Sequence, residues 1–248
     1  MKDLVFISDL HLAPERPKII ELFLQFADEV VATADELYIL GDFLEYWLGD
    51  DDPSPALTPL FDKLIELSEQ HKTKIFFMHG NRDFLIGNKL AERCHFNLIN
   101  ADTLKIKIHD QDVLLMHGDT LCIDDIEYQK FRQMVRSEKW QQDILSRSIE
   151  ERIQIAKNIR DQSKKSTAEK DEFIMDVNPQ ETEKAFADNN VNVIIHGHTH
   201  RPSIHKEFFN NKKTTRIVLG DWFETGSYLR VNKSFLGDFS DCELQSFK

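Results

Sequence analysis

The sequence predicts an α/β fold in which two β-sheets pack together, helices cover their outer faces and a helical segment is inserted into the chain. Short apolar runs of strand length alternate with helix-like stretches through the first hundred residues. Beyond residue 200, apolar runs follow one another across polar turns, a pattern typical of hairpins. Residues 121–174 contain no glycine, no proline and no strand-like run, and their apolar residues recur at helical spacing.

The chain length favours one domain with an insertion over two independent domains, because 248 residues can bury one full core. We therefore expect a discontinuous main domain formed by residues 1–120 and 175–248. Residues 121–174 form the predicted helical insertion.

Composition excludes several classes of protein. A net charge of -12 argues against general nucleic-acid binding, which depends on Lys and Arg side chains that neutralise phosphates. The three cysteines are widely separated and form no CxxC pair, so a reducing cytosol is expected. Asp9 and His11 interrupt the amino-terminal apolar run, unlike a signal peptide, and no run approaches the ~20 apolar residues that cross a bilayer. The protein is expected to be soluble or to lie on a membrane surface.

The first half of the chain is expected to contain three buried strands, each followed by a helix. The strands are predicted at residues 4–7, 37–40 and 75–78, and the helices at residues 17–34, 57–67 and 84–94. Pro17 suits the first turn of its helix. The acidic, proline-containing residues 50–55 predict a loop.

The second half is expected to contain a hairpin, one capped helix and a group of late strands. Residues 104–108 pair with residues 113–116 in the predicted hairpin. Asn178 and Pro179 are typical of an N-cap and a first helical position, and this helix is expected to end near Asn189. Further strands are predicted at residues 193–195, 203–209 and 214–219 and in two pieces that end near Phe247, with a polar turn at residues 210–213.

Five of the apolar runs stop at side chains that can bind a metal. The five groups are Asp9 and His11, Asp42 after Gly41, the segment from His79 to Asp83, the segment from His117 to Asp119, and the three histidines His196, His198 and His200. Because α/β folds bind ligands in the loops at the carboxyl ends of their strands, these groups are expected to meet. Glycines beside several of them allow sharp turns of the backbone.

The residue types indicate a metal centre with oxygen and nitrogen ligands. Asp, His and Asn without Cys favour Mn²⁺, Fe or Zn²⁺ over a thiolate-bound structural zinc. The number of candidates favours two ions, and Asp42 on its glycine turn is suited to reach both. Spacing alone leaves open the choices between His79 and Asn81, between His117 and Asp119, and among His196, His198 and His200.

The motif order resembles that of the calcineurin-like metallophosphoesterases. Their Asp-x-His, Gly-Asp, Gly-Asn, His and Gly-His-x-His motifs all occur here in the same order. The resemblance implies a four-layer sandwich with a helical cap and a centre that holds two Mn²⁺ ions per subunit. It assigns one ion to Asp9, His11, Asp42 and His200, and the other to Asp42, Asn81, His117 and His198. His79 and His196 would then support the ligands.

Sequences that flank these motifs narrow the resemblance to one branch of that family. Residues 80–85, 116–122, 174–178 and 196–202, together with the insertion, are similar to hydrolases of lipid A biosynthesis that act on UDP-2,3-diacylglucosamine. The similarity covers nearly the whole chain and implies the products UMP and 2,3-diacylglucosamine 1-phosphate (lipid X). It also implies an enzyme attached peripherally to the cytoplasmic side of the inner membrane, with no obligate protein partner.

The same resemblance implies a set of substrate contacts. They are Asn81, Arg82, Asp125, Ser163, Thr167, Lys170 and His198. Thr167 stands where the family usually has an asparagine, and its hydroxyl is shorter and has fewer hydrogen-bond sites than an amide.

Arg82 distinguishes this chain from relatives that carry a histidine at the same position. A histidine can protonate a leaving alcohol, whereas arginine keeps its proton at neutral pH. A phosphate leaves without a general acid, so Arg82 favours cleavage of a phosphoanhydride over an alkyl phosphomonoester. We expect water to attack the α-phosphorus in line, with Arg82, Asp42 and Asn81 as the catalytic set. The alternative role for Arg82 is a structural salt bridge to Asp83 or another neighbour.

The insertion is both apolar and basic. Its apolar side chains are expected to line a chamber for acyl chains, in which each buried CH₂ contributes about 0.8 kcal/mol. Between Arg136 and Lys170, nine Lys and Arg residues stand against six Asp and Glu residues, a local charge of +3 that could hold the protein against anionic headgroups. The alternatives are a cap that packs only on itself and an ordinary solvated helix face.

Two other functions compete with this hypothesis. One is a phosphatase or phosphodiesterase of soluble nucleotides or phosphoproteins, against which Arg82 and the apolar insertion both argue. The other is a non-enzymatic scaffold, which would be expected to lack metal ligands, whereas every ligand position is filled here.

Overall fold

The computed structural model describes residues 2–169, 176–235 and 237–248, and for residues 162–169 it describes only the backbone. The strands in these ranges are β1 (Leu4–Ile7), β2 (Glu36–Leu40), β3 (Lys74–Met78), β4 (Phe96–Ile99), β5 (Thr103–Ile108), β6 (Gln111–Met116), β7 (Val193–His196), β8 (Ser203–Phe209), β9 (Lys212–Val218), β10 (Gly226–Val231) and β11 (Leu244–Phe247). The helices are α1 (Pro17–Glu29), α2 (Thr58–Glu69), α3 (Asn88–Cys94), α4 (Ile126–Val135), α5 (Glu138–Leu145), α6 (Ile149–Glu169) and α7 (Pro179–Asn189).

The strands form two mixed sheets. The first has the order β11-β10-β1-β2-β3-β4, and the second has the order β5-β6-β7-β9-β8. Strands β1 to β4 run parallel, and so do β6, β7 and β9. The carboxyl ends of the parallel strands in each sheet therefore lie at one edge, which is where the loops with the candidate ligands begin.

Because side chains alternate along a strand, neighbouring strand residues lie on opposite faces of the sheet and belong to different buried clusters. Phe6 of β1 belongs to a buried cluster with Leu115 of β6 and Ile195 of β7, so the two sheets pack face to face. Its neighbour Val5 belongs to a second cluster that includes Phe23 of α1 and residues of α2 and α3. Helices therefore cover the outer face of the first sheet.

Helix α7 covers the other outer face. Phe186 of α7 packs with Leu114 of β6 and Ile194 of β7, which point away from the first sheet. Asn178 caps this helix as predicted, because its side chain accepts a hydrogen bond from the Glu181 N–H group. The order of layers is helix, sheet, sheet, helix, and the predicted α/β fold class with two packed sheets is confirmed.

The insertion consists of α4, α5 and α6, and its described residues contain no strand. Asp125 caps α4 by accepting a hydrogen bond from Tyr128 N, and Ser137 caps α5 by accepting one from Trp140 N. Residues 170–175, where the predicted insertion ends, lie outside the described residues. The limits of 121 and 174 therefore remain a prediction.

The main differences from the prediction are three altered bounds and one additional strand. The helix predicted at residues 84–94 begins only at Asn88, because residues 83–86 form a turn closed by Ile86 N and Asp83 O. Strand β4 was not predicted, since only one of its four residues is buried. Helix α1 ends at Glu29 and gives way to a 3₁₀ turn. The hairpin turn contains two residues instead of four, because Ile108 pairs with Gln111.

Candidate metal centre and adjoining cavity

The five predicted groups of ligands meet at the carboxyl ends of β1, β2, β3, β6 and β7. Short backbone hydrogen bonds hold their loops together. Asp9 N donates to Gly41 O at 3.1 Å, and His11 N donates to Asp42 O at 2.9 Å. Gly197 N donates to His117 O at 2.8 Å, which joins two strand ends of the second sheet. The sequence motifs are thus brought to one edge of both sheets.

The backbone is strained at these positions. Asp9, His11, Asp42, His198 and His200 all have positive φ, at 57°, 50°, 52°, 69° and 55°. This left-handed region is uncommon for residues other than glycine and costs on the order of 1–3 kcal/mol per residue. Five of the twelve described non-glycine residues with positive φ are candidate ligands, so this strain is concentrated in the loops of the site.

Two glycines permit the close approach of these loops. A Cβ atom on Gly80 would lie 2.0 Å from Asp42 Oδ1, and one on Gly197 would lie 2.2 Å from Asp9 Oδ2. Any side chain at either position would displace a carboxylate of the site.

Asp9, His11 and His200 form the first candidate ligand group. Their ligand atoms lie within 4.8 Å of one another. His200 Nε2 is 3.4 Å from Asp9 Oδ1 and 3.3 Å from His11 Nε2. Asp9 Oδ1 is fully buried and forms no well-aligned hydrogen bond with any described residue. A buried carboxylate oxygen faced by two ring nitrogens fits a divalent cation, which would satisfy all three.

Electrostatics favour a charged Asp9. Burial disfavours the carboxylate, but contact with His200 and the charges of His117, His200 and His11 outweigh this effect and hold the pKa of Asp9 below its usual range. Burial alone would lower the pKa of His200, yet Asp9 raises this pKa to about 9. The acidic group and its basic partner stabilise each other's charged forms.

Asn81, His117 and His198 form a second group. Asn81 Oδ1 lies 3.0 Å from His117 Nε2 and 2.9 Å from His198 Nδ1. His117 Nδ1 donates to the Leu40 carbonyl at 2.8 Å, so in the neutral form of the ring, the form that binds a metal, Nε2 presents a lone pair toward the Asn81 oxygen. Two acceptors that face each other in this way also fit a bound cation.

Without a metal, burial would lower the pKa of His117, but the charges of Asp42, Asp119 and Asp9 outweigh burial and raise this pKa. Burial lowers the pKa of His198 to about 4, so the His198 ring is neutral at pH 7.

Asp42 lies between the two groups. Its Oδ2 is 3.9 Å from His11 Nε2, and its Oδ1 is 3.9 Å from His117 Nε2. Asp42 and Asp9 both lie within 4.8 Å of His117, measured between ligand atoms. The position suits a bridging ligand, and the exact assignment of ligands to two ions stays a prediction.

His79, Asp119 and His196, which spacing alone left open as alternative metal ligands, form contacts with other protein groups. His79 Nε2 contacts the Ile86 carbonyl at 2.7 Å, and burial lowers the pKa of this histidine to about 4. Asp119 accepts hydrogen bonds from Tyr128 Oη at 2.6 Å and from Arg132 Nε at 2.7 Å.

His196 is likewise enclosed. Its Nδ1 donates to the Gly197 carbonyl at 2.9 Å, and Arg216 Nη1 donates to its Nε2 at 3.2 Å. Burial lowers the pKa of His196 to about 3, and the neighbouring positive charge of Arg216 acts in the same direction. These bonds support the ligand choice that the family resemblance implies.

Arg82 has no structural salt bridge among the described residues. Asp83 instead accepts hydrogen bonds from the N–H groups of Phe43 and Gly80, both at 2.8 Å. Burial and the charge of Asp42 raise the pKa of Asp83 to about 6. Arg82 N donates to Asp42 Oδ1 at 2.8 Å, while its guanidinium faces a cavity. The side chain is therefore available to a ligand.

A cavity of about 1100 Å³ joins the candidate metal centre to the insertion. Its polar end contains the candidate ligands His11, Asp42, Asn81, His198 and His200. Apolar side chains of the insertion line the rest, namely Phe131, Trp140, Ile144, Ile153, Ile155, Ala156 and Ile159. The insertion therefore does not pack only on itself, and the expected apolar chamber is present in the described residues. Trp47, Phe84 and Leu85 of the main domain extend its apolar wall, which no sequence motif indicated.

The predicted substrate residues fall into two sets. Asn81, Arg82, Asp125 and His198 line the cavity. Ser163 and Thr167 lie on α6 where only the backbone is described, and Lys170 lies outside the described residues. Their contacts stay predictions.

Arginines of the insertion reach into the main domain. Arg136 Nη2 donates to the Gly80 carbonyl at 2.7 Å, one residue before Asn81. Arg152 binds Asp51 through two nitrogens at 2.5 and 2.8 Å. Part of the basic charge expected on the surface thus contacts the main domain. Sequence reasoning missed these residues, because each contact joins positions that are more than fifty residues apart.

Comparison with known proteins agrees with this geometry. Residues 3–202 match the family model described as calcineurin-like phosphoesterase. A Stenotrophomonas maltophilia protein named UDP-2,3-diacylglucosamine hydrolase is 45% identical over 235 residues, covering 92% of this chain and 94% of its own length. Proteins of the same name from Pasteurella multocida and Vibrio parahaemolyticus are 44% and 43% identical and cover 94% and 92% of this chain and 95% and 93% of their own lengths. The chain therefore belongs to the calcineurin-like phosphoesterase family.

Proposed function

We propose that the protein hydrolyses the diphosphate bond of UDP-2,3-diacylglucosamine and releases UMP and 2,3-diacylglucosamine 1-phosphate, a reaction of lipid A biosynthesis. The observation that carries this proposal is the single cavity that connects the candidate metal ligands to the apolar insertion. A lipid with a diphosphate headgroup has a matching polar part, the diphosphate, and a matching apolar part, its acyl chains. The name shared by relatives that match almost the whole chain supports the same substrate.

The metal centre of this proposal holds two Mn²⁺ ions. Asp9, His11, Asp42 and His200 would hold one ion, and Asp42, Asn81, His117 and His198 would hold the other. When bound, the ions supply Lewis acidity and a water molecule activated at neutral pH. The buried Asp9 Oδ1, which lacks a well-aligned hydrogen bond, and the 3.0 Å approach of His117 Nε2 to Asn81 Oδ1 support this assignment. Manganese suits a set of carboxylate, amide and imidazole donors.

Arg82 binds the diphosphate in this proposal. Its guanidinium lies at the boundary between the candidate ligands and the apolar wall, without a salt bridge to Asp83. A guanidinium donates two parallel hydrogen bonds to phosphate oxygens and stays charged throughout the reaction. The departing group is a phosphate, which needs no proton to leave. Arg82 thus stabilises charge on the diphosphate and transfers no proton.

The apolar part of the cavity receives the acyl chains. Each CH₂ that moves from water into this wall contributes about 0.8 kcal/mol, so two chains of ordinary length supply ample binding energy. Soluble nucleotides would leave this wall exposed to water. The wall therefore favours a lipid substrate over the competing soluble phosphate esters.

We also propose that the insertion rests on the membrane surface. Ile126, Met134 and Ile153 of the insertion are 63%, 49% and 50% exposed, and Ile153 lines the cavity as well. Among the described residues, none of the helices combines the length and apolar character needed to span a bilayer. Peripheral attachment, at the cytoplasmic face of the inner membrane, would let a lipid pass from the bilayer into the cavity. Sedimentation with anionic lipid vesicles tests this part, with Ile126→Ser/Met134→Ser expected to weaken binding and unchanged binding counting against it.

The main proposal is tested by metal-dependent turnover. Metal-stripped protein is titrated with Mn²⁺, and UMP release is measured from UDP-2,3-diacylglucosamine and from UDP-N-acetylglucosamine. We expect turnover only with metal and a strong preference for the lipid. Equal turnover of both substrates would contradict the role given to the cavity and would favour a phosphoesterase of soluble nucleotides.

A further inference from the structure

Glu45 connects the candidate metal centre to the insertion. It follows β2 in the loop that begins at Asp42, and its Oε2 lies 3.1 Å from His11 Nδ1. Its other oxygen, Oε1, lies 2.9 Å from Arg160 Nη2 of α6. The Glu45 side chain is only 12% exposed, the Arg160 side chain is 35% exposed, and both residues line the cavity. The two oxygens of the Glu45 carboxylate therefore contact different parts of the molecule, namely the candidate ligand His11 and helix α6.

The backbone fixes Glu45 beside His11. Glu45 N donates to Leu12 O at 3.0 Å, and Leu12 N donates to Phe43 O at 2.9 Å. Leu12 and Leu44 also form a short parallel bridge. The Glu45 side chain is therefore held next to the residue that follows His11, whatever the position of the insertion.

The contact with Glu45 selects one form of the His11 ring. Nδ1 approaches the carboxylate at 3.1 Å without the alignment of a full hydrogen bond, and because an ionised carboxylate only accepts, this approach favours the tautomer in which Nδ1 carries the proton. Nε2 then presents its lone pair toward His200 Nε2 and Asp42 Oδ2, at 3.3 and 3.9 Å. This is the form required of a metal ligand, and metal-bound histidines commonly donate their second nitrogen to a carboxylate.

We propose that Glu45 is a positioning residue that orients His11 for metal binding and is itself held in place by Arg160 of the insertion. This role rests on the proposed metal centre. It predicts that docking of α6 and affinity for the metal are coupled through one side chain. In the described part of the chain Arg160 pairs with Glu45, which is not a candidate ligand, yet the loss of Arg160 should weaken metal binding.

Binding of Mn²⁺ to the metal-stripped full-length protein tests the coupling without substrate. Mn²⁺ is titrated by calorimetry into wild type, Glu45→Gln, Arg160→Met and the double variant. The matched controls are Asp143→Asn and Arg147→Met, which break an ion pair of the same kind on the exposed surface of the insertion. Circular dichroism verifies that each variant is folded.

Both single variants should raise the Kd of at least one Mn²⁺ ion by about 10-fold, the lower end of the range for groups that orient metal ligands. The double variant should bind no more weakly than Glu45→Gln, because Arg160 acts only through Glu45. The two controls should stay within about two-fold of wild type, as expected of exposed ion pairs.

Wild-type affinity in Arg160→Met, or additive losses in the double variant, would overturn the coupling while leaving the proposed function intact. Failure of the wild-type protein to bind Mn²⁺ would overturn the proposed metal centre and this role together. The two failures are therefore distinguishable.

Discussion

Replacing Arg152 with methionine is expected to undock the insertion from the main domain while both sheets stay folded. Arg152 is 3% exposed, and its guanidinium contacts a loop that follows β2 as well as the end of α5. Methionine keeps part of the apolar stem but removes every donor. The loss should therefore be electrostatic and local.

The contacts of Arg152 determine how much docking free energy the substitution removes. It donates to the carbonyl oxygens of Leu48, Leu145 and Arg147 at 2.9, 2.6 and 3.0 Å. Bonds from a charged donor contribute about 1.5–3 kcal/mol each when buried, and roughly 1 kcal/mol each is reasonable where water can reach the carbonyls after undocking. The ion pair with Asp51 adds little, because Asp51 is 55% exposed and is solvated when alone. Of the three carbonyls only that of Leu48 belongs to the main domain, so the expected loss of docking free energy is roughly 1 kcal/mol, which raises the undocked population about five-fold.

Hydrogen exchange measured by mass spectrometry reads out this change. Amides of α5 and of α6 up to residue 161 should lose protection in Arg152→Met, whereas β1, β2 and β7 should keep theirs. The KM for the lipid substrate should rise as the cavity wall moves. Arg147→Met is the matched control, because the Arg147 side chain pairs with the exposed Asp143 on the surface of the insertion. Unchanged protection of α5, or equal loss in the central strands, would refute the reasoning.

Three further predictions follow from the site. His196→Asn should flatten the pH dependence of the unfolding free energy in metal-free protein, measured by urea titration. The pKa of His196 falls from 6.5 in the unfolded chain to about 3, so its stabilising contribution is full above pH 6.5 and falls by about 1 kcal/mol between pH 7 and pH 5.5. Arg82→Lys should lower kcat for the lipid about 100-fold with unchanged Mn²⁺ affinity, because an ammonium cannot donate in parallel to two phosphate oxygens. Removal of one CH₂ from an acyl chain should lower kcat/KM about four-fold, as measured with a series of substrate chain lengths.

Each of these predictions has a contradicting outcome. An equally steep pH dependence in His196→Asn would show that this histidine is protonated in the folded state. Full activity of Arg82→Lys would exclude a specific guanidinium contact. A rate that does not depend on chain length would place the acyl chains outside the cavity.

Much of the fold follows from local sequence signals. The β1 and β7 strands are short, continuous apolar runs, and Asn178 with Pro179 marks the start of α7 almost exactly as the structure has it. The wrong start predicted for helix α3 also has a local cause. The apolar side chains of residues 84–94 predicted one helix, but Phe84 and Leu85 line the cavity and Asp83 accepts hydrogen bonds from three backbone N–H groups.

The candidate site also has a part that the sequence predicts and a part that it does not. The five ligand groups could be predicted because each ends a strand, and parallel strands bring such ends together. The contacts of Glu45, Arg152 and Arg160 could not, since no periodicity or motif relates residues that are about a hundred positions apart. These three residues join the insertion to the site, and only tertiary structure reveals such pairs.

The most direct test of the central claim is hydrolysis of UDP-2,3-diacylglucosamine in ¹⁸O-labelled water by the Mn²⁺-loaded protein. The account predicts UMP that carries one ¹⁸O atom, unlabelled 2,3-diacylglucosamine 1-phosphate, and no products after metal removal. Label in the sugar phosphate would contradict attack on the α-phosphorus, and absence of UMP under all metal conditions would contradict the proposed activity.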